Sequence, residues 1–146
     1  EEGLPVRVET LRLGFVFEPE PAFEGEGSYL NTEKVFYSGD VAVAHVADHV
    51  KGSIAKRGEE HILELKTLSH YKFLERYCNT TMAYTMAHVD AVRPEPWLAE
   101  ALGVDMTAPL LKMDDYAYNL DHEMVIHSNI YFRSGAVDLK FLRKSW

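Results

Sequence analysis

Two histidines four residues apart, with a carboxylate between them, open the search for chemistry: His45-Val46-Ala47-Asp48-His49. On a helix, residues i and i+4 share a face and could bring two imidazoles to one ion. The surrounding pattern instead puts His45 in a strand and His49 in the helix after it, so the expectation is no metal and no cofactor. Serine, histidine and aspartate all occur, yet no Gly-x-Ser-x-Gly turn presents a nucleophile, which disfavours a hydrolase. Asp114-Asp115 is a poor acid pair, because neighbours on a strand point to opposite faces. One should be buried or capped and the other solvated. Ser69 opens a predicted helix, where its hydroxyl, the free N–H groups and the positive end of the helix dipole make a seat for an anion. Plain N-capping explains the same serine. Met82, Tyr84, Met86 and His88 form a soft, partly polar stripe, read as core with a cavity border as the alternative.

The elements that must carry these residues follow from periodicity. Leu4–Phe17 alternates, with Leu11, Leu13, Phe15 and Phe17 on one face, and reads as a strand. Residues 18–28, with Pro19, Pro21, Gly25, Gly27 and four carboxylates, read as a solvated connector, an effector lid being the alternative. Tyr29–Tyr37 and Val41–Ala47 form a hairpin over Ser38-Gly39-Asp40. A short helix is predicted over Asp48–Lys56 with Asp48 as N-cap and Gly58 at its end, then a strand over His61–Thr67. Ser69–Tyr77 is a helix with a Leu68–Phe73 staple and a left-handed Asn79 beyond it. Thr80–Val92 is a strand, and Trp97–Leu102 a helix stopped by Gly103. Leu110–Tyr118 and Glu123–Arg133 make a hairpin, and Phe141–Trp146 closes the chain. Seven strands and three short helices amount to an α+β domain on an antiparallel sheet.

The chain of 146 residues suits one domain over 1–146 and can bury about 68–70% of its unfolded surface. With 47% hydrophobic and 26% charged residues it is globular in composition. A net charge of −8 repels a phosphate backbone, which disfavours DNA binding by these residues themselves. The single Cys78 excludes an internal disulfide or a Cys-based finger. Apolar runs as short as Val41–Ala44 fall far below the roughly 20 residues that span a bilayer, and no signal peptide opens the chain. A cytoplasmic protein without membrane partners is expected.

Several pieces in collinear order resemble a known family. Leu102-Gly103-Val104, Thr107-Ala108-Pro109-Leu110-Leu111, the turn Tyr118-Asn119-Leu120-Asp121-His122-Glu123-Met124-Val125 and Tyr131-Phe132-Arg133 are similar to the second half of the UTRA domain. That domain is the effector-binding module of HutC-subfamily GntR transcription regulators. Ser69-His70-Tyr71-Lys72-Phe73-Leu74-Glu75 resembles the family's helix opening, and Thr32–Val46 its first hairpin. His122 stands where the family turn has glycine. The resemblance implies a chorismate-lyase-like fold with two similar halves, a homodimer, and a winged helix-turn-helix domain upstream through which DNA is bound.

Carried over residue by residue, the resemblance places Glu33 and Val35 where members have an Arg-x-Arg pair, and Ile126 where they have an acidic residue. Phe132 takes a later aromatic position, and His45 is the first-half counterpart of Ile126. With Ser69, His70, Tyr84 and Ser128 these make the expected effector-binding set. A carboxylate in place of a guanidinium implies a pocket less cationic than a sugar-phosphate sensor's, suited to an organic acid or another small metabolite. The alternative is a first-half register one residue off. The expected function is non-enzymatic sensing of a small-molecule effector. Its rivals are a chorismate-lyase-like enzyme, which would need cationic clamps, and a dimerisation module with a vestigial pocket.

Overall fold

The computed structural model describes residues 6–136; the Phe141–Trp146 segment and the start of the first predicted strand lie outside the described residues. Six strands form one antiparallel sheet: β1 (Val6–Val16), β2 (Tyr29–Ser38), β3 (Val41–Lys51), β4 (Met82–Val92), β5 (Leu110–Asn119) and β6 (Met124–Arg133). Their order is β1-β2-β3-β6-β5-β4, two three-stranded meanders joined along β3 and β6. The turns carry the backbone that reversal demands. Gly39 adopts φ +59°, and His122 itself takes the left-handed φ of +60° where a glycine was expected. The Asn119 side chain supports that turn by accepting from the N–H groups of Asp121 and Glu123, each at 2.9 Å.

Between β3 and β4 run α1 (Gly52–Ala55), a 3-10 segment (Lys56–Lys66) and α2 (His70–Tyr77), which together cover one face of the sheet. Phe73 and Leu74 of α2 and Leu65 of the 3-10 segment pack on Leu30, Val50, Ala117, Val125 and Ile126. The other face is covered at one end by α3 (Pro96–Leu102), whose Leu98 and Leu102 meet Val35, Ala42 and Leu110. Gly103 ends α3 in the left-handed conformation, φ +64°.

Three expectations are corrected. His61–Thr67 is 3-10 helix, not strand, so the sheet has six strands among the described residues. Ile62 and Leu65, three apart, turn inward together at three residues per turn, while Leu63 is exposed. Asp48 is a strand residue rather than an N-cap: β3 continues to Lys51 because Val50 is fully buried and pairs on both sides. The chain leaves the strand only at Gly52, where a Cβ would run into the Ser28 carbonyl. The connector 18–28 is not simply solvated, since Glu20 and Phe23 are buried. A bulge between Thr10 and Arg12 also breaks the first strand's apolar face, leaving Leu11 exposed while Leu13 and Phe15 pack inward.

Candidate functional site

Because strand side chains alternate, β2, β3, β5 and β6 each send one parity towards α2 and the other away. Towards α2 go Lys34 and Phe36, Val46 and Asp48, Asp115 and Ala117, and Ile126, Ser128 and Ile130. The opening of α2 (Ser69, His70, Tyr71) and Thr85 of β4 complete the wall of a cavity of about 320 Å³. Ser69 caps α2, its Oγ accepting from the Lys72 N–H at 3.2 Å. The Tyr71 hydroxyl and Thr85 Oγ1 lie 2.7 Å apart and tie α2 to β4.

Most polar groups of the cavity are held by one another. Ser128 Oγ donates to Asp48 Oδ1, and His70 sits between Asp48 (Nδ1 to Oδ2, 3.8 Å) and the buried Thr32 hydroxyl (Nε2 to Oγ1, 3.2 Å). The Lys34 ammonium donates to the Leu65 carbonyl at 2.5 Å. Burial pushes the His70 imidazole below its ordinary range, against the opposing pull of Asp48, and holds the Lys34 ammonium low in the same way. Asp115 differs. Burial first, and the neighbouring Asp114 and Asp48 charges second, raise its carboxyl above the usual range. Its Oδ1 is buried with no hydrogen-bond partner among the described residues. A buried acceptor left unmatched costs about 1–3 kcal/mol, which a ligand donor would recover. The arrangement is suited to binding: no serine here is aligned with a histidine base, since the Ser128 hydroxyl points at a carboxylate.

Of the residues expected at the site, Ser69, His70, Ile126 and Ser128 border this cavity together. Glu33, Val35 and His45 do not. Their neighbours Lys34, Phe36 and Val46 line the cavity instead, the arrangement that the alternative first-half register describes. His45 lies on the far face, 3.7 Å from Glu33 and edge-on to Trp97, and Val35 packs under α3. Tyr84 stacks on Tyr118 and meets His122, because a bulge between Met82 and Tyr84 breaks the stripe. Met82 packs inward, while Tyr84 and Met86 are exposed, neither core nor cavity. Phe132 has the cavity parity but pairs with Ala44, past the end of the cavity. Lys34 brings a cation to the cavity wall, and Asp48 and Asp115 bring two carboxylates. Lys34, Asp48, Thr85 and Asp115 were missed. Both parities of β2 hold apolar residues, and only the cleaner contrast on β6 (Ile126, Ser128, Ile130 against His127, Asn129, Tyr131) gave a usable signal.

The UTRA domain matches residues 23–138 of the chain. No curated protein sequence matches it. A GntR-family transcriptional regulator from Enterococcus faecalis V583 superposes with a TM-score of 0.81 at 15% identity, over 94% of this chain and 100% of that one. The C-terminal domain of the histidine utilization repressor from Pseudomonas syringae pv. tomato DC3000 gives 0.79 at 16%, over 97% and 100%. The effector domain of PhnF from Mycobacterium smegmatis gives 0.75 at 14%, over 99% and 90%, and in the PhnF structure itself the match covers 65% of the chain. These likenesses show a shared fold, the chorismate-lyase-like α+β architecture.

Proposed function

This chain belongs to the UTRA domain family, and on that footing we propose that it is the effector-sensing module of a GntR/HutC-type transcription regulator. One observation carries the reading: a cavity of about 320 Å³ under α2 holds a buried carboxylate oxygen, on Asp115, that no group among the described residues satisfies. The effector is a small organic acid that also bears an N–H or O–H group. Its acid end lies against the N-terminus of α2 and Lys34, its apolar body on Phe36, Ile126 and Ile130, and its donor on Asp115. Ligand in that place braces α2 against the β3–β6 seam. It shifts the regulator towards the arrangement that binds it more tightly, which is all a ligand can do to an equilibrium.

DNA is contacted by a separate winged helix-turn-helix domain upstream. The 65% coverage of PhnF supports this, as does the chain's charge of −8. Homodimerisation through a sheet edge fits β4, one of the two outer strands, where Met86 and Val89 are exposed. Sedimentation showing only monomer would contradict it. No helix among the described residues is long and apolar enough to cross a membrane, consistent with a regulator working in the cytoplasm.

Calorimetric titration with paired acids, each with and without an amine or hydroxyl, tests the sensing role. We expect saturable 1:1 binding that requires the donor and weakens at least tenfold in Asp115→Asn. Pyruvate release from chorismate, or turnover of any bound compound, would overturn the non-enzymatic reading.

A further inference from the structure

On the face of the sheet turned away from the cavity, three ligand atoms from distant parts of the chain converge. His49 of β3 and His127 of β6 are direct cross-strand partners, so their rings leave the same face side by side. Glu20, in the β1–β2 connection, is only 5% exposed and comes down over them. Its Oε1 accepts from the Ala22 N–H at 2.8 Å, which fixes the carboxylate and aims Oε2 between the rings. Oε2 lies 3.2 Å from His49 Nδ1 and 2.7 Å from His127 Nδ1, and all three atoms lie within 4.8 Å of one another.

A second observation concerns the far side of His127. Its Nε2 lies 2.8 Å from Asp114 Oδ1, Asp114 Oδ2 accepts from the Tyr116 hydroxyl at 3.2 Å, and the Tyr116 ring stacks on the imidazole at 4.7 Å and 5°. A metal-bound histidine commonly gives its other N–H to a carboxylate, which sets the tautomer and aims the free nitrogen at the ion. Here Asp114 is placed to accept from Nε2 in that way, with Nδ1 turned towards Glu20 and His49 for an ion to meet.

We propose that Glu20, His49 and His127 bind one divalent transition-metal ion of the zinc class, with Asp114 as the positioning residue behind His127. Tetrahedral bonds of about 2.0–2.1 Å place donors about 3.3 Å apart, and the carboxylate oxygen already stands 3.2 and 2.7 Å from the two ring nitrogens. Two imidazoles and one carboxylate suit Zn²⁺ or Co²⁺, whereas Mg²⁺ and Ca²⁺ take oxygen donors. The two acidic groups, Glu20 and Asp114, balance the dication. His49 and His127 keep 21% and 15% of their side-chain surface, which gives an ion a way in and leaves a fourth position open. The ion would pin the β1–β2 connection to the seam where the two halves of the sheet meet.

The test is titration of the chelator-treated chain with Co²⁺ and then Zn²⁺, read by visible absorption and calorimetry. We expect one equivalent of Co²⁺, the intense d–d bands of a four- or five-coordinate nitrogen–oxygen site without thiolate charge transfer, and displacement by Zn²⁺. His49→Ala and His127→Ala should each weaken binding more than 100-fold. Asp114→Asn should weaken it about 10- to 100-fold with the cobalt bands preserved, the mark of a positioning role. His61→Ala, at an exposed histidine elsewhere, should change nothing. Circular dichroism checks that each variant folds; should His127→Ala not fold, His49→Ala and the wild-type cobalt spectrum decide. No saturation by about 1 mM metal, an octahedral spectrum, or binding retained in a folded His49→Ala variant would overturn the site and leave only a hydrogen-bonded cluster.

Discussion

The two faces of the sheet use the same residue types to opposite ends. On the α2 side Asp48, His70, Ser128 and Thr32 form a chain of contacts spread along a wall, and the space before it stays open. On the other side Glu20, His49 and His127 point inward to one spot, with Asp114 behind His127. Dispersed polar groups around a volume recognise a shape with several hydrogen bonds, whereas convergent ones recognise a point charge. Adjacent residues divide between the two roles: Asp115 faces the cavity and Asp114 the histidines, and Ser128 and His127 split likewise. One backbone position decides which chemistry a side chain joins.

Packing separates the faces too, and the largest expected effect tests that. Phe73, fully buried under the cavity side, should cost about 3–5 kcal/mol as Phe73→Ala. Leu98→Ala on α3, in the smaller cluster, should cost nearer the lower end of the roughly 2–5 kcal/mol seen for such truncations. Urea midpoints in the reverse order would show that the α3 side carries the fold.

Ser69→Ala removes the cap of α2 and should cost about 1 kcal/mol in stability. Effector affinity should fall by more than the helix loss explains if the serine also meets the ligand's acid end. The same substitution should leave metal binding on the far face untouched, which calorimetry of both ligands on one variant can check.

The smallest effect is a matter of sign. Asp115 has its carboxyl raised in the folded state by burial and by Asp114 and Asp48, so the native protein holds its proton over a pH range where the unfolded chain has lost it. Stability tied to this group is full below about pH 4 and is lost as pH rises through the higher folded value. Asp115→Asn should therefore melt higher than wild type at pH 7, by about 1 kcal/mol or roughly 2–4 °C, and equal it near pH 4. His70 acts the other way. Its pKa is depressed by burial, so the unfolded chain takes the proton first and stability falls as pH drops below about 6.5. His70→Asn should flatten that decline in thermal melts between pH 7 and 5.

Much of this was legible in the residues and some was not, for physical reasons. The β5–β6 hairpin, the Ser69 cap and the Gly103 stop rest on local chemistry, and the structure has each. Each of the six strands has a counterpart in the period-2 patterning, which also gave a seventh over His61–Thr67 that is 3-10 helix in the structure. On β2 and β3 both faces are covered, by α2 and by α3, so parity carries no contrast to check the carried-over register, and Glu33, Val35 and His45 lie on the face away from the α2 cavity. Bulges at Thr10–Arg12 and Met82–Tyr84 reverse parity within a strand without any mark in the residue types. The Pro- and Gly-rich connector looked solvated because the partners of Glu20 lie 29 and 107 residues away, beyond the reach of local pattern.

The central claim is that the open space under α2 receives the effector. Amide chemical shifts of the labelled chain, followed while an acid bearing an N–H or O–H donor is titrated in, test it most directly. Saturable changes should gather at Ser69–Tyr71, Thr85, Asp115 and Ser128, with β1 and α3 quiet and Asp115→Asn moving the midpoint at least tenfold higher. A panel of such acids that leaves those amides unmoved, or moves only residues around α3, would contradict it.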